Sequence, residues 1–123
     1  MFENLIGAQI VSMDESSIKI KINEEIHVLE ILSDGGDCCG YANFKANLLY
    51  AEGNIRNPII TNVELNHTED GYDSDCSVFT FYGENKELAT IESEAGSGSG
   101  WSYGAVVTLR CKTLGINEDL ASW

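Results

Sequence analysis

The chain has 123 residues, 43% of them hydrophobic, and this length and composition predict a single domain spanning residues 1–123. Seven basic residues against 20 acidic ones give a formal net charge of −13. This balance excludes ordinary nucleic-acid binding, because phosphate contacts need clustered Lys and Arg. No apolar run approaches the roughly 18 residues of a membrane span, and residues 1–6 lack the pattern of a signal peptide. We therefore expect a cytoplasmic protein with no membrane partner.

The first third of the chain predicts three strands. Segments 8–13, 17–22 and 25–32 are rich in β-branched residues, and the second alternates apolar and polar side chains. The turn-like connections 14–16 and 23–24 are short, so the three strands are expected to form an antiparallel meander.

Segment 41–50 is predicted to be a short amphipathic helix. Its apolar side chains Tyr41, Phe44, Leu48 and Leu49 follow the i, i+3, i+7 spacing of one helical face.

The rest of the chain predicts further strands over 59–65, 77–82, 88–92 and 104–111, with a last helical turn at 116–120. The expected fold class is α+β and mostly β. We expect an antiparallel sheet or partly open barrel of about seven strands, with one short helix packed on it.

Three segments of the chain stand out together: Gly-Asp-Cys-Cys at 36–39, Asn-Pro-Ile-Ile at 57–60, and the series 79–82, 89–91 and 98–104. In this order they resemble a family of small acidic proteins from bacteriophages and prophages, a domain of unknown function. The resemblance spans roughly residues 5–111, and it implies a phage origin, a place in the host-cell cytoplasm and no enzyme activity that can be named. It carries no catalytic residues over.

The loop at 96–104 is a candidate binding site. Its glycines let backbone N–H groups approach a ligand, and Trp101 and Tyr103, beside Ser99 and Ser102, can anchor a protein partner or stack a base. A flexible hairpin loop, a protein-contact loop and a nucleotide pocket all remain open. No lysine follows the glycines, so the loop is not a P-loop.

A second candidate is the acidic segment 69–75. Asp70, Asp73 and Asp75 offer hard oxygen ligands for weak cation binding, but the EF-hand spacing is missing. A solvated acidic loop is the alternative.

Asp37, Cys38 and Cys39 form a third candidate. One thiol can act as a metal ligand or nucleophile assisted by His27 or His67. Alternatively, one Cys is buried and Asp37 caps the predicted helix.

We expect a phage-encoded, non-enzymatic binding protein that counteracts a basic host or defence protein through its acidic surface, including by nucleic-acid mimicry. The Trp101 and Tyr103 loop would take part in this contact. The first alternative is a sponge that sequesters a nucleotide immune signal, and the second is a metal-dependent enzyme using Asp37, Cys39 and a His. No cofactor is predicted, and exposed edge strands favour a homodimer.

Overall fold

The computed structural model describes residues 2–35, 40–49, 58–68, 74–84, 86–96 and 104–123. Over these ranges the chain forms β-strands and two short 3₁₀ turns, Glu3–Leu5 and Lys112–Leu114. The strands are β1 (Gln9–Met13), β2 (Ser17–Ile22), β3 (Glu25–Asp34), β4 (Tyr41–Leu48), β5 (Asn62–Thr68), β6 (Ser74–Gly83), β7 (Lys86–Gly96), β8 (Val106–Cys111) and β9 (Ile116–Ser122).

The strands form two antiparallel sheets. One sheet has five strands in the order β1-β2-β3-β8-β9, and the other has four in the order β4-β7-β6-β5. Each sheet starts and ends on a different strand, so neither is closed into a barrel. The prediction of a mostly β, antiparallel fold is confirmed.

The alternation of side chains along each strand explains how the sheets pack. On β2, Ile18 and Ile20 are fully buried and Lys19 between them is exposed. Phe79 and Phe81 on β6 are likewise fully buried, and Phe79 makes edge contacts with Phe81 and with the ring of Phe2 at centroid distances of 4.9 Å and 4.7 Å. One core therefore joins the inner faces of both sheets.

Two polar contacts also tie the sheets together at β9. The hydroxyl of Ser77 on β6 donates to the backbone carbonyl of Leu120. The carboxylate of Asp75 accepts a 2.8 Å hydrogen bond from the backbone N–H of Ser122. Strand β9 is thus held by its neighbour β8 and by β6 of the opposite sheet.

The predicted helix over 41–50 is wrong, because Tyr41–Leu48 is strand β4. Its full length pairs with β7, from Tyr41 opposite Gly96 to Leu48 opposite Ala89. Ala42, Phe44 and Ala46 pack against the core, so the burial follows a period of two residues and not the helical period.

The predicted helical turn at 116–120 is also wrong, since these residues belong to β9. Pairing with β8 satisfies the backbone groups of the segment, and Ile116 and Leu120 are buried. A bulge between Val107 and Thr108 shifts the register, which obscures the alternation in the sequence.

The predicted turn at 23–24 closes the β2–β3 hairpin, in which Ile22 pairs with Glu25. Asn23 and Glu24 both have positive φ angles, of 48° and 68°. Two-residue hairpin turns of type I′ require this conformation. Asn tolerates it well, whereas Glu does not.

Candidate binding surface

The outer face of the four-stranded sheet is polar and carries three carboxylates against one lysine among its described residues, and we call it the acidic face. Strand pairing sets its side chains in rows: Asn43, Glu94 and Cys76 form one row, and Lys45 and Glu92 begin the next. The face comprises Tyr41, Asn43, Lys45 and Asn47 of β4, Thr90, Glu92 and Glu94 of β7, Cys76, Val78, Thr80 and Tyr82 of β6, and Glu64, Asn66 and Thr68 of β5.

Neighbouring donors hold three carboxylates of the acidic face in place. The Tyr41 hydroxyl donates to Glu94 Oε1 at 2.8 Å, and the Asn47 amide donates to Glu92 Oε2 at 3.1 Å. Glu64 accepts two bonds, one from Asn66 at 2.9 Å and one from the Tyr82 hydroxyl at 3.1 Å. These donors orient carboxylates that are otherwise free to rotate on the surface.

The two tyrosines of the acidic face keep their protons more firmly than usual. The hydrogen bond to Glu94 raises the pKa of Tyr41 above its ordinary value near 10, and partial burial adds to the effect. The hydrogen bond to Glu64 raises the pKa of Tyr82 in the same direction. A tyrosinate beside a carboxylate would lose the hydrogen bond and repel its partner. Both hydroxyls therefore remain donors at neutral pH.

A groove of about 490 Å³ runs across the acidic face. Glu92 and Glu94 line it together with Asn43, Thr68 and Cys76. Among the described residues that line the groove, Lys45 is the single cation. The groove therefore offers carboxylate, amide and hydroxyl groups to a ligand, which suits a cationic or hydrogen-bonding group better than an anion.

The outer face of the five-stranded sheet differs, and we call it the neutral face. Lys21 pairs with Glu24 at 3.2 Å, Arg110 pairs with Glu30 at 2.7 Å, and the Thr108 hydroxyl donates to Asp119 at 3.3 Å. Arg110 lowers the pKa of Glu30, mainly through their hydrogen bond. The face comprises Val11, Lys19, Lys21, Ile26, Val28, Glu30, Leu32, Asp34, Thr108, Arg110 and Asp119, with Glu24 of the β2–β3 turn at its end.

Asp75, which the sequence predicts in a cation-binding loop, instead links strands of the two sheets through its carboxylate. Its Oδ1 lies 2.8 Å from His67 Nδ1 on β5, and its Oδ2 accepts the backbone N–H of Ser122. Both oxygens are thus engaged by protein groups, so Asp75 joins β5, β6 and β9.

The other candidates from the sequence lie outside the described residues. These are Ser99, Trp101, Ser102 and Tyr103 of the glycine-rich loop, Asp70 and Asp73 of the acidic segment, and Asp37, Cys38 and Cys39. The binding and catalytic roles assigned to them stay predictions.

His27 belongs to a small polar cluster at one end of the five-stranded sheet. Its Nδ1 lies 2.6 Å from the Thr113 hydroxyl, which in turn lies 3.4 Å from the Cys111 thiol. The Glu25 carboxylate is 3.7 Å from Nε2 of the same ring. Cys111 is 1% exposed, so this cluster offers no accessible thiol. Within the described ranges, no three His, Cys, Asp or Glu side chains are placed to hold a metal ion.

The sequence analysis did not predict the acidic face, because it assigned Tyr41 and its neighbours to a helix. A usable signal was present: Tyr41, Asn43, Lys45 and Asn47 alternate with Ala42, Phe44, Ala46 and Leu48. This strict alternation is typical of a half-buried strand.

The fold and its surfaces define an antiparallel two-sheet protein with one acidic and one neutral outer face. The sequence profile of a domain of unknown function (DUF7448) matches residues 3–109, and the chain belongs to that family. The match runs from the first 3₁₀ turn into β8. No curated protein and no solved structure matches the chain. Among the described residues, no helix has the length and apolar character needed to cross a membrane.

Proposed function

We propose that this chain is a non-enzymatic binding protein that docks a basic partner on its acidic face. The observation that carries the proposal is the set of oriented carboxylates: Glu64, Glu92 and Glu94 are each held by a tyrosine hydroxyl or an asparagine amide. Surface carboxylates that serve solubility alone need no such donors.

Orientation of the carboxylates lowers the cost of binding. A partner's Lys or Arg meets groups that are already fixed, so less side-chain entropy is lost when the complex forms. Each carboxylate oxygen also has a second lone pair free for a donor of the partner.

The charge of the whole chain supports the same partner class. A net charge of −13 attracts basic proteins over distances of about a Debye length and speeds their encounter. None of the described Asp and Glu residues is buried, so this charge is displayed on the surface. The attraction is expected to weaken as salt rises.

We propose a host or defence protein as the basic partner, which is the class of partner that the phage origin expected from the sequence implies. A rigid array of carboxylates can replace nucleic-acid phosphates on a basic surface, so nucleic-acid mimicry is part of the proposal. The acidic face is a poor site for a nucleotide, because Glu92 and Glu94 would repel its phosphates. A nucleotide sponge would have to use the loop at 97–103.

The test compares capture of proteins from bacterial lysate by three forms of the full chain. The test variant carries Glu64→Gln, Glu92→Gln and Glu94→Gln. The control variant carries Glu15→Gln, Glu24→Gln and Glu25→Gln, which removes the same charge from the ends of the β1–β2 and β2–β3 hairpins of the other sheet. We expect a basic protein to bind the wild type and the control at low salt and to be lost from the test variant. Capture of the same amount of the basic protein by all three forms, or an amount that does not change with salt concentration, would overturn the proposal.

A further inference from the structure

The neutral face carries an exposed aliphatic row on the central strand of its sheet. Ile26, Val28 and Leu32 on β3 are 53%, 40% and 38% exposed, and all three lie on the outer side. Val11 on β1 is 49% exposed and lies at the bulge between Ile10 and Ser12, beside Ser12, which pairs with Lys19. The Lys19 and Lys21 stems lie between Val11 and the β3 row, since β2 runs between β1 and β3. Aliphatic side chains clustered in this way mark interaction sites.

The charges around this row come close to balance. Lys21 and Arg110 are paired with Glu24 and Glu30. The remaining charges among the described residues of the face are one cation, Lys19, and two carboxylates, Asp34 and Asp119. Lys19 makes no ion pair with another described residue and is exposed, so its ammonium group can meet a carboxylate of a second molecule.

The small net charge of the neutral face indicates which partner can bind there. Two copies that each carry −13 repel one another wherever acidic surfaces meet. The acidic face adds to that repulsion, because its carboxylates outnumber its single lysine. The neutral face carries three cations against four carboxylates, so two copies meet there with little like-charge repulsion, and it also supplies apolar surface to bury.

We propose that two copies of the chain associate through their neutral faces, with Ile26 and Val28 at the centre of the contact. Two identical faces that meet in this way form a closed, two-fold dimer. The acidic faces then point outward on opposite sides, so each dimer presents two docking surfaces. This inference does not depend on the proposed function.

The dimer contact and the docking of a basic partner differ in their dependence on salt concentration. Added salt screens the repulsion between two acidic copies and leaves the aliphatic contact intact. The dimer is therefore expected to tighten as salt rises, whereas binding of a basic partner weakens.

Sedimentation equilibrium of the full chain over a range of concentrations tests the proposal. We expect a mass of twice 13.4 kDa and a dissociation constant that falls with salt. Val28→Lys is expected to weaken the dimer at least ~10-fold. Ile6→Lys is the matched control, because Ile6 is 46% exposed but lies beyond the 3₁₀ turn Glu3–Leu5, off this face.

Ile26→Ser gives a second, milder variant that removes aliphatic surface without adding charge. It should weaken the dimer while circular dichroism shows the fold unchanged. A monomer at all concentrations and salts would overturn the proposal. So would dimers of unchanged strength in both Val28→Lys and Ile26→Ser.

Discussion

The hydroxyl of Tyr41 on β4 donates a 2.8 Å hydrogen bond to Glu94 on β7. The two residues are 53 positions apart in the chain and lie at one end of the acidic face. This bond fixes the Glu94 carboxylate beside the groove. The orientation of that carboxylate therefore depends on Tyr41 keeping its proton.

The first prediction concerns alkaline pH. The pKa of Tyr41 is raised in the folded protein, so its contribution to stability is fully present below the unfolded value near 10. The contribution is lost as pH rises through the folded pKa. Tyr41→Phe should therefore be less stable than the wild type at neutral pH, and the difference should shrink in strongly alkaline solution.

Tyrosinate absorbance near 295 nm provides the matching measurement. Tyr41 and Tyr82 should both titrate late in the wild type, and Tyr41→Phe should show one late-titrating tyrosine fewer. Tyr82→Phe is the companion variant. Ordinary titration of every tyrosine in the folded wild type would contradict the assigned hydrogen bonds.

The second prediction concerns the core. Phe79 is fully buried and contacts the rings of both Phe2 and Phe81. Phe79→Ala should lower the free energy of unfolding by about 3–5 kcal/mol through lost burial and a residual cavity. Urea denaturation measures this difference. Leu49→Ala is the control, because Leu49 is 46% exposed and belongs to neither outer face, and it should change the value by less than about 1 kcal/mol.

The third prediction concerns the β2–β3 hairpin. Glu24 has a φ of 68°, a conformation that costs a residue with a Cβ roughly 1 kcal/mol. Glu24→Gly should therefore stabilise the protein by about 1 kcal/mol, since the Lys21 ion pair that it removes is highly exposed and worth little. Glu24→Gln separates the effect of charge from that of backbone conformation. If both variants unfold at the same denaturant concentration, the strain assigned to Glu24 is absent.

Local patterns were sufficient where one strand pairs with its neighbour in sequence. The alternation at 17–22 and the short turn at 23–24 predicted the hairpin that β2 and β3 form. The pairing of β3 with β8, in contrast, joins Glu30 to Arg110 across 80 positions. No local pattern encodes which distant strand completes a sheet, so the two-sheet order was not predictable.

Segment 41–48 shows why short amphipathic stretches are ambiguous. Phe44 and Leu48 fit both a helical and an extended spacing, whereas Tyr41 and Leu49 fit only the helical one, so these two residues led to the helix prediction. In the structure Tyr41 lies on the acidic face with its hydroxyl bonded to Glu94. Tertiary pairing with β7 thus decided the local structure.

The acidic segment shows a different limit. Asp75 was grouped with Asp70 and Asp73 because they are close in sequence. Its carboxylate instead bonds Ser122 across the two sheets, 47 positions away. The function of a surface carboxylate depends on which donors the fold brings to it, and sequence spacing does not reveal them.

The central claim is that the acidic face is the docking surface, and the most direct test is to map where a basic peptide binds. Amide NMR shifts of the full chain would be followed during titration with a ten-residue lysine peptide. Every protein with this net charge binds a polycation to some extent. The test is therefore where the shifts occur on the protein surface. We predict shifts concentrated on β4, β5 and β7 around Glu64, Glu92 and Glu94, and their loss in the Glu64→Gln, Glu92→Gln, Glu94→Gln variant. Shifts spread evenly over the surface, or centred on the neutral face, would contradict the account.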